Sequence, residues 1–130
     1  PLATRPWQHV LEPISGYLTL AESLYCSGDQ FADGWNFGPN DGDTKPVGEV
    51  MDYLVSHWPS RVSWTLDGGE QPHEAQLLKL DISKAKARLN WVPRWNLSKA
   101  LQTIIQWHYS WLEGDDMRAI TLSQIDDYVN

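Results

Sequence analysis

A short run of chemically capable side chains lies near the start of the sequence, in Arg5-Pro6-Trp7-Gln8-His9. Arginine presents a planar fork of N–H donors that suits bidentate capture of a phosphate. A tryptophan beside it can stack on a base or a sugar. The same residues also fit an arginine on an edge strand with Trp7 in the core. From spacing alone we favour this structural interpretation of Arg5 and Trp7.

Several catalytic and cofactor-binding motifs are absent from the sequence. No two glycines are separated by a single residue, so there is no Gly-x-Gly-x-x-Gly dinucleotide fingerprint. No tyrosine is followed by lysine four residues later, which excludes a Tyr-x-x-x-Lys acid–base pair. The Gly-x-Ser-x-Gly and Cys-x-x-Cys patterns are absent as well. We therefore expect no catalytic and no cofactor-binding residue within this chain.

The histidines and acidic residues do not predict a metal site. His73-Glu74 begins like a zinc-protease helix, but Leu77 stands where a second histidine is required. The other three histidines share no ligand spacing, and we interpret His108 as a buried histidine on an apolar helix face. The eight tryptophans leave a carbohydrate-binding surface open as an alternative, although core packing is our interpretation of the three at apolar positions, Trp35, Trp64 and Trp107.

Composition narrows the class of protein further. The chain has 130 residues, with 10 Lys plus Arg against 17 Asp plus Glu, and a formal net charge of −7. An acidic chain lacks the cations on which nucleic-acid affinity depends. No apolar run approaches the roughly 20 residues of a membrane-spanning helix. Cys26 is the single cysteine, so we expect no internal disulfide and a cytoplasmic protein. Because the sequence begins at Pro1 without methionine, we expect a fragment of a larger protein.

Hydrophobic periodicity predicts one α/β domain in which short strands alternate with helices. The predicted strands cover 7–11, 34–38, 62–66 and 77–80. The predicted helices begin near residues 12, 46, 83, 97 and 121, with Asn96 as a cap and Gly114 as a stop. Four short strands make a thin sheet, so we expect part of the core to lie on a segment outside this chain.

Four blocks, taken together, resemble one enzyme family. They are residues 5–10 (Arg-Pro-Trp-Gln-His-Val), 35–38 (Trp-Asn-Phe-Gly), 81–93 (Asp-Ile-Ser-Lys-Ala, then Leu-Asn-Trp-Val-Pro) and the amphipathic segment 97–107. Their order and spacing resemble the extended short-chain dehydrogenase/reductase enzymes that act on nucleotide sugars. The amino-acid sequences of segments 5–13, 35–40 and 72–75 are similar to one branch of this family, the 4,6-dehydratases that act on a CDP-sugar. These enzymes are lyases.

This resemblance implies a carboxyl-terminal substrate-binding lobe plus late elements of a Rossmann fold. It implies that NAD and the catalytic residues belong to an amino-terminal domain absent from this chain, and that the fragment is inactive alone. The complete enzyme is expected to be a cytoplasmic homo-oligomer without nucleic-acid or membrane partners. Its product, a 4-keto-6-deoxy sugar nucleotide, is expected to feed dideoxyhexose synthesis for the lipopolysaccharide O antigen.

The resemblance also implies substrate-binding roles for Arg5, Trp7, His73 and Glu74. It favours Arg5 as the group that faces the nucleotide diphosphate, with Trp7 beside it, and so reverses the preference drawn from spacing. Relatives carry a second phosphate-facing arginine where this chain has His73-Glu74-Ala75. Glu74 is a candidate to accept from the amino group of the base, and a solvated turn carboxylate is an equal alternative. The other functions left open are a different epimerase or dehydratase and a noncatalytic carbohydrate-binding or protein-binding module.

Overall fold

The computed structural model describes residues 2–69 and 75–130, and helices dominate it. Two three-residue strands, β1 (Thr4–Pro6) and β2 (Thr44–Pro46), form a two-stranded sheet. The chain is thus a mixed helix-and-sheet structure, which fits the α/β class only in this broad sense. The helices are α1 (Leu11–Ser27), α2 (Val47–His57), α3 (Ser83–Leu89), α4 (Leu97–Glu113) and α5 (Met117–Val129).

The sheet is antiparallel, and each of its strands ends in a proline. Pro6 lies opposite Thr44, Pro46 lies opposite Thr4, and Arg5 lies opposite Lys45 between them. The other side of β1 is joined by residues 76–78. Thr4 N–H donates to the carbonyl of Gln76 at 2.7 Å, and Leu78 N–H donates to the carbonyl of Thr4 at 3.1 Å. β1 is therefore held from both sides.

The predicted strands were mostly wrong. The strand predicted at 7–11 lies at 4–6 instead, and helix α1 already begins at Leu11. Residues 34–38 and 62–66 are not strands, and of 77–80 only Leu77 makes a bridge, to Thr4. An apolar or alternating pattern predicts burial, but a strand also needs a neighbouring backbone to bond. Phe37 illustrates the difference. Its side chain is buried as predicted, but its segment pairs with no strand among the described residues.

The helices follow the sequence pattern closely, and capping residues mark several of their ends. Asn96 Oδ1 accepts from Lys99 N–H at 2.9 Å at the start of α4, and Gly114 ends that helix in the left-handed region with φ 80°. Asn90 ends α3 at φ 52°, a conformation that asparagine tolerates. Only α5 departs from the prediction. It begins four residues earlier than expected, because Asp116 caps it by accepting from Arg118 and Ala119 N–H.

The main apolar cluster lies between α1, α3 and the loops that flank α3. Its buried members are Phe37, Ile82, Ala85, Leu89 and Trp91. Gly16 of α1 lies directly against the Phe37 ring, and any side chain at that position would overlap the ring.

Three tryptophans and one histidine are less buried than the sequence predicted. Trp35, Trp64 and Trp107 are half-buried, and His108 is exposed, so the interpretation of His108 as a core residue was wrong. His108 lies beside Trp107 at the rim of the groove between α4 and α5, on a stripe that the helix does not bury completely.

One fully buried carboxylate joins three separate parts of the chain. Glu12 in the first turn of α1 has no exposed surface. Its oxygens accept from the backbone N–H of Arg94 at 3.0 and 3.1 Å and of Trp95 at 2.7 Å. The hydroxyl of Tyr128 in α5 donates to Glu12 at 2.7 Å. Burial raises the pKa of Tyr128 to about 12, so this phenol keeps its proton and remains a donor.

We expect Glu12→Gln to lower the free energy of unfolding by about 3 kcal/mol. The amide removes the charge that strengthens these hydrogen bonds and turns N–H donors toward other donors. Urea unfolding of the purified chain measures the change. Glu22→Gln, at an exposed position of the same helix, is the matched control. Equal stability of the two variants would contradict the role assigned to Glu12.

Candidate functional site

The strand pair fixes the positions of Arg5 and Trp7. Both side chains are half-buried. Arg5 Nη1 donates to the carbonyls of Thr4 and Ala75, at 2.9 Å in each case. The indole N–H of Trp7 donates to the carbonyl of Lys45 in β2 at 2.8 Å. The structure therefore brings the predicted pair together at the small sheet and restricts the directions in which both side chains point.

A second cation lies beside this pair, and the sequence analysis missed it. Lys45 is directly opposite Arg5 in the ladder, so the two side chains leave the same face of the sheet. Like charges in this position repel unless an anion lies between or near them. Glu49 balances Lys45 only in part, because Nζ and Oε2 are 3.9 Å apart and both side chains are well exposed. Arg5 and Lys45 thus place two positive charges on one face of the sheet.

Two of the four predicted site residues belong to the segment 70–74. His73 and Glu74 lie outside the described residues. Ala75, which follows Glu74 in the sequence, has its carbonyl 2.9 Å from Arg5 Nη1. Ala75, the first described residue after Glu74, is therefore in contact with the Arg5 guanidinium.

A cavity of about 290 Å³ with both polar and apolar walls adjoins Lys45, between β2 and the helices α2 and α4. Tyr53 and Ser98 are on its wall, with their hydroxyl oxygens 3.1 Å apart. Asp43, also on the wall, accepts from the backbone N–H of Leu97 at 2.9 Å and so ties the start of α4 to β2. Hydroxyl, amide and charged groups around one cavity suit a polar ligand.

His9, which belongs to the same sequence block as Arg5 and Trp7, has a structural role in the core. It is buried, its ring centroid is 5.0 Å from that of Trp95, and its Nδ1 accepts from Leu11 N–H at 3.3 Å. Burial lowers the pKa of His9, and the negative charge of Glu12 opposes that shift. The neutral imidazole is the form that can accept from Leu11, so His9 acts as a structural acceptor.

Residues 2–69 and 75–130 contain neither a metal-binding cluster nor a membrane-spanning helix. No group of three or more His, Cys, Asp or Glu side chains there is arranged to hold a metal ion. Among the helices of these ranges, none has the length and apolar character needed to cross a membrane.

Protonation of His9 is expected to destabilise the fold on acidification. Its pKa is lower in the folded chain than the ordinary value of 6.5, so the unfolded chain binds the extra proton more readily. The stability contribution is present above pH 6.5 and is lost as the pH falls below it. Urea unfolding between about pH 7.5 and pH 5.5 measures this. His9→Gln keeps an acceptor for Leu11 and is expected to flatten the pH dependence, with His57→Gln as the exposed-histidine control. An unchanged slope in His9→Gln would refute the assignment.

Comparison with known proteins gives one informative match. No profile of a known protein family matches the chain. All 130 residues align, at 49% identity, with the CDP-glucose 4,6-dehydratase of Salmonella typhimurium, and they cover 36% of that protein. The chain matches the carboxyl-terminal region of that CDP-glucose 4,6-dehydratase. The resemblance found in the four sequence blocks is thereby confirmed.

The chain spans only about a third of the length of this CDP-glucose 4,6-dehydratase. Because the alignment extends over the whole chain, it includes all four predicted site residues, Arg5, Trp7, His73 and Glu74. It assigns no role to any of them, and their roles rest on the geometry and on the sequence pattern.

Proposed function

We propose that this chain is the substrate-binding part of an NAD-dependent CDP-glucose 4,6-dehydratase, which converts CDP-glucose to CDP-4-keto-6-deoxyglucose. The observation that carries the proposal is 49% identity over every residue of the chain. The complete protein is an extended short-chain dehydrogenase/reductase and a cytoplasmic homo-oligomer. Its product feeds dideoxyhexose synthesis for the O antigen. This chain supplies the substrate lobe and late Rossmann elements, and an amino-terminal Rossmann domain supplies the rest.

The residues of this chain do not fit a dinucleotide cofactor. A pyrophosphate is usually bound where a glycine-rich turn opens a helix. Val10, Pro46, Ile82, Asn96 and Asp116 precede the five helices of the described ranges, and none of these starts is a glycine-rich turn. NAD therefore belongs to the amino-terminal domain in this proposal, and no step of hydride transfer is assigned to residues of this chain.

Arg5 is the residue proposed to bind the diphosphate of CDP-glucose. Its guanidinium is anchored by two backbone carbonyls, which reduces the conformational freedom it would lose on binding. Lys45 across the ladder supplies a second positive charge in a chain whose net charge is −7. In the relatives that motivated the resemblance, a second arginine stands near position 73. Lys45 is positioned to take over part of that charge here.

Trp7, His73 and Glu74 complete the proposed substrate site. The indole N–H of Trp7 donates to the backbone carbonyl of Lys45, which fixes the orientation of the ring. The face of the ring is then a flat apolar surface for the sugar or the base. Glu74 is proposed to accept a hydrogen bond from the amino group of cytosine, and His73 to contact the nucleotide. Ala75, which follows Glu74 in the sequence, has its carbonyl 2.9 Å from Arg5 Nη1, and this contact supports the assignment.

In the complete protein, Arg5→Ala is expected to weaken CDP-glucose binding by about tenfold or more. A lost charge-assisted contact accounts for about 1.5–3 kcal/mol. Isothermal titration with CDP-glucose measures the affinity, and CD spectra verify that the variant is folded. Arg118→Ala, at an exposed position of α5, is the control for loss of one positive charge. An affinity equal to that of the control variant would remove Arg5 from the site.

The 130-residue chain alone is expected to form no 4-keto product from CDP-glucose, with or without added NAD. The reason is that its sequence holds neither a Tyr-x-x-x-Lys pair nor a dinucleotide fingerprint. The absorbance of the 4-keto sugar in base reports the product, and the complete protein under the same conditions is the positive control. Turnover by the isolated chain would show that the catalytic residues lie within it.

A further inference from the structure

Residues 75–78, which we call the edge segment, run alongside β1, and Leu77 forms a parallel bridge with Thr4. Thr4 binds the segment twice through its backbone. Its N–H donates to the carbonyl of Gln76 at 2.7 Å, and its carbonyl accepts from Leu78 N–H at 3.1 Å. All four side chains of the segment are exposed, Leu77 by 61% and Leu78 by 48%. Because the segment buries little apolar surface, its position depends on hydrogen bonds.

Arg5 adds a side-chain contact to the start of the edge segment. Its Nη1 donates to the carbonyl of Ala75 and to the carbonyl of Thr4, at 2.9 Å in each case. The Thr4 carbonyl is the same one that accepts from Leu78 N–H. A single guanidinium nitrogen therefore joins β1 to the first residue of the edge segment, and it shares an acceptor with the bond that holds the last residue.

The guanidinium can make this contact and bind a phosphate at the same time. It carries five N–H donors in a planar fork, and a bidentate phosphate uses two of them. A phosphate bound to the fork restricts rotation of the Arg5 side chain, which keeps Nη1 directed at Ala75. The two contacts support each other, since each removes conformational freedom that the other would otherwise have to remove.

We propose that Arg5 couples ligand binding to the edge segment, so that a nucleoside diphosphate bound at its guanidinium orders residues 75–78. The proposal rests on the proposed function, because it takes Arg5 as the residue that binds the diphosphate. It gives Arg5 a second task, the positioning of the neighbouring backbone. Coupling of this kind is reciprocal, so an ordered edge segment in turn strengthens binding of the diphosphate.

Hydrogen exchange of the complete protein tests the coupling, with the Leu78 amide as reporter. Without ligand, Arg5→Ala is expected to speed exchange at Leu78 at least about fivefold, because the segment loses its side-chain anchor. In the unsubstituted protein, saturating CDP is expected to slow exchange at Leu78 by a similar factor, and Arg5→Ala is expected to abolish that effect. The Ala100 amide, which donates to the Asn96 carbonyl at the start of α4, is the internal control and keeps its rate.

A matched pair of variants at position 78 tests the reciprocal direction. Leu78→Pro removes the N–H that donates to Thr4, whereas Leu78→Ala keeps it, and both remove the same exposed side chain. In the complete protein, Leu78→Pro is expected to bind CDP-glucose at least about fivefold more weakly than Leu78→Ala in isothermal titration. CD spectra verify that both variants are folded, and the exchange experiment tests the coupling without either of them.

The outcomes separate the coupling from the substrate assignment. If CDP binding depends on Arg5 but leaves exchange at Leu78 unchanged or faster, the coupling is wrong and the substrate assignment stands. Slowing by CDP that persists in Arg5→Ala, or equal affinities of the two Leu78 variants, would also overturn the coupling. A CDP-glucose affinity that is insensitive to Arg5→Ala would instead refute the diphosphate assignment on which the coupling rests. The ligand-free comparison is independent of that assignment, and unchanged exchange there would show that Arg5 does not anchor the segment.

Discussion

The arrangement of this chain depends on a buried carboxylate, Glu12, which pairs with no cation in the part of the chain that the structure describes. Burying a charge is costly unless hydrogen bonds replace the lost water. Glu12 meets that requirement with two backbone N–H groups, from Arg94 and Trp95, and with the Tyr128 hydroxyl. These donors belong to the loop before α4 and to α5. Their geometry thus determines how both helices are placed against α1.

The consequences of this contact extend to the core and to the candidate site. The loop that Glu12 holds also contains Trp91, whose indole N–H reaches Ser15 of α1 and whose ring packs against Phe37. The same loop leads into α4, where Asp43 binds Leu97 N–H and connects the helix to β2. A chain of short contacts therefore connects the buried acid with the sheet that carries Arg5 and Lys45. Such a small sheet is marginal by itself, so these side-chain contacts are what hold it in place.

The sequence predicted local features well and long-range features poorly, for a physical reason. The two ends of α4 depend on single residues, Asn96 and Gly114, and these were recognised directly. Arg5 and Trp7 were selected as candidate site residues in the same way, from one contiguous block. The burial of Glu12 was not foreseen, because its partners are 82 to 116 residues away in sequence. Lys45 was missed for a related reason, since only the register of the ladder places it opposite Arg5.

The prolines at Pro6 and Pro46 have a consequence for the sheet as a whole. Each lies at the last position of its strand, opposite a threonine, and neither has an N–H to donate. Pairing continues one residue past Pro46, where Val47 N–H donates to the carbonyl of Ala3 at 2.9 Å. A slip by one residue would place a proline opposite Arg5 or Lys45. Arg5 and Lys45 are therefore the one cross-strand pair without a proline in this ladder. The backbone itself keeps the two cations side by side.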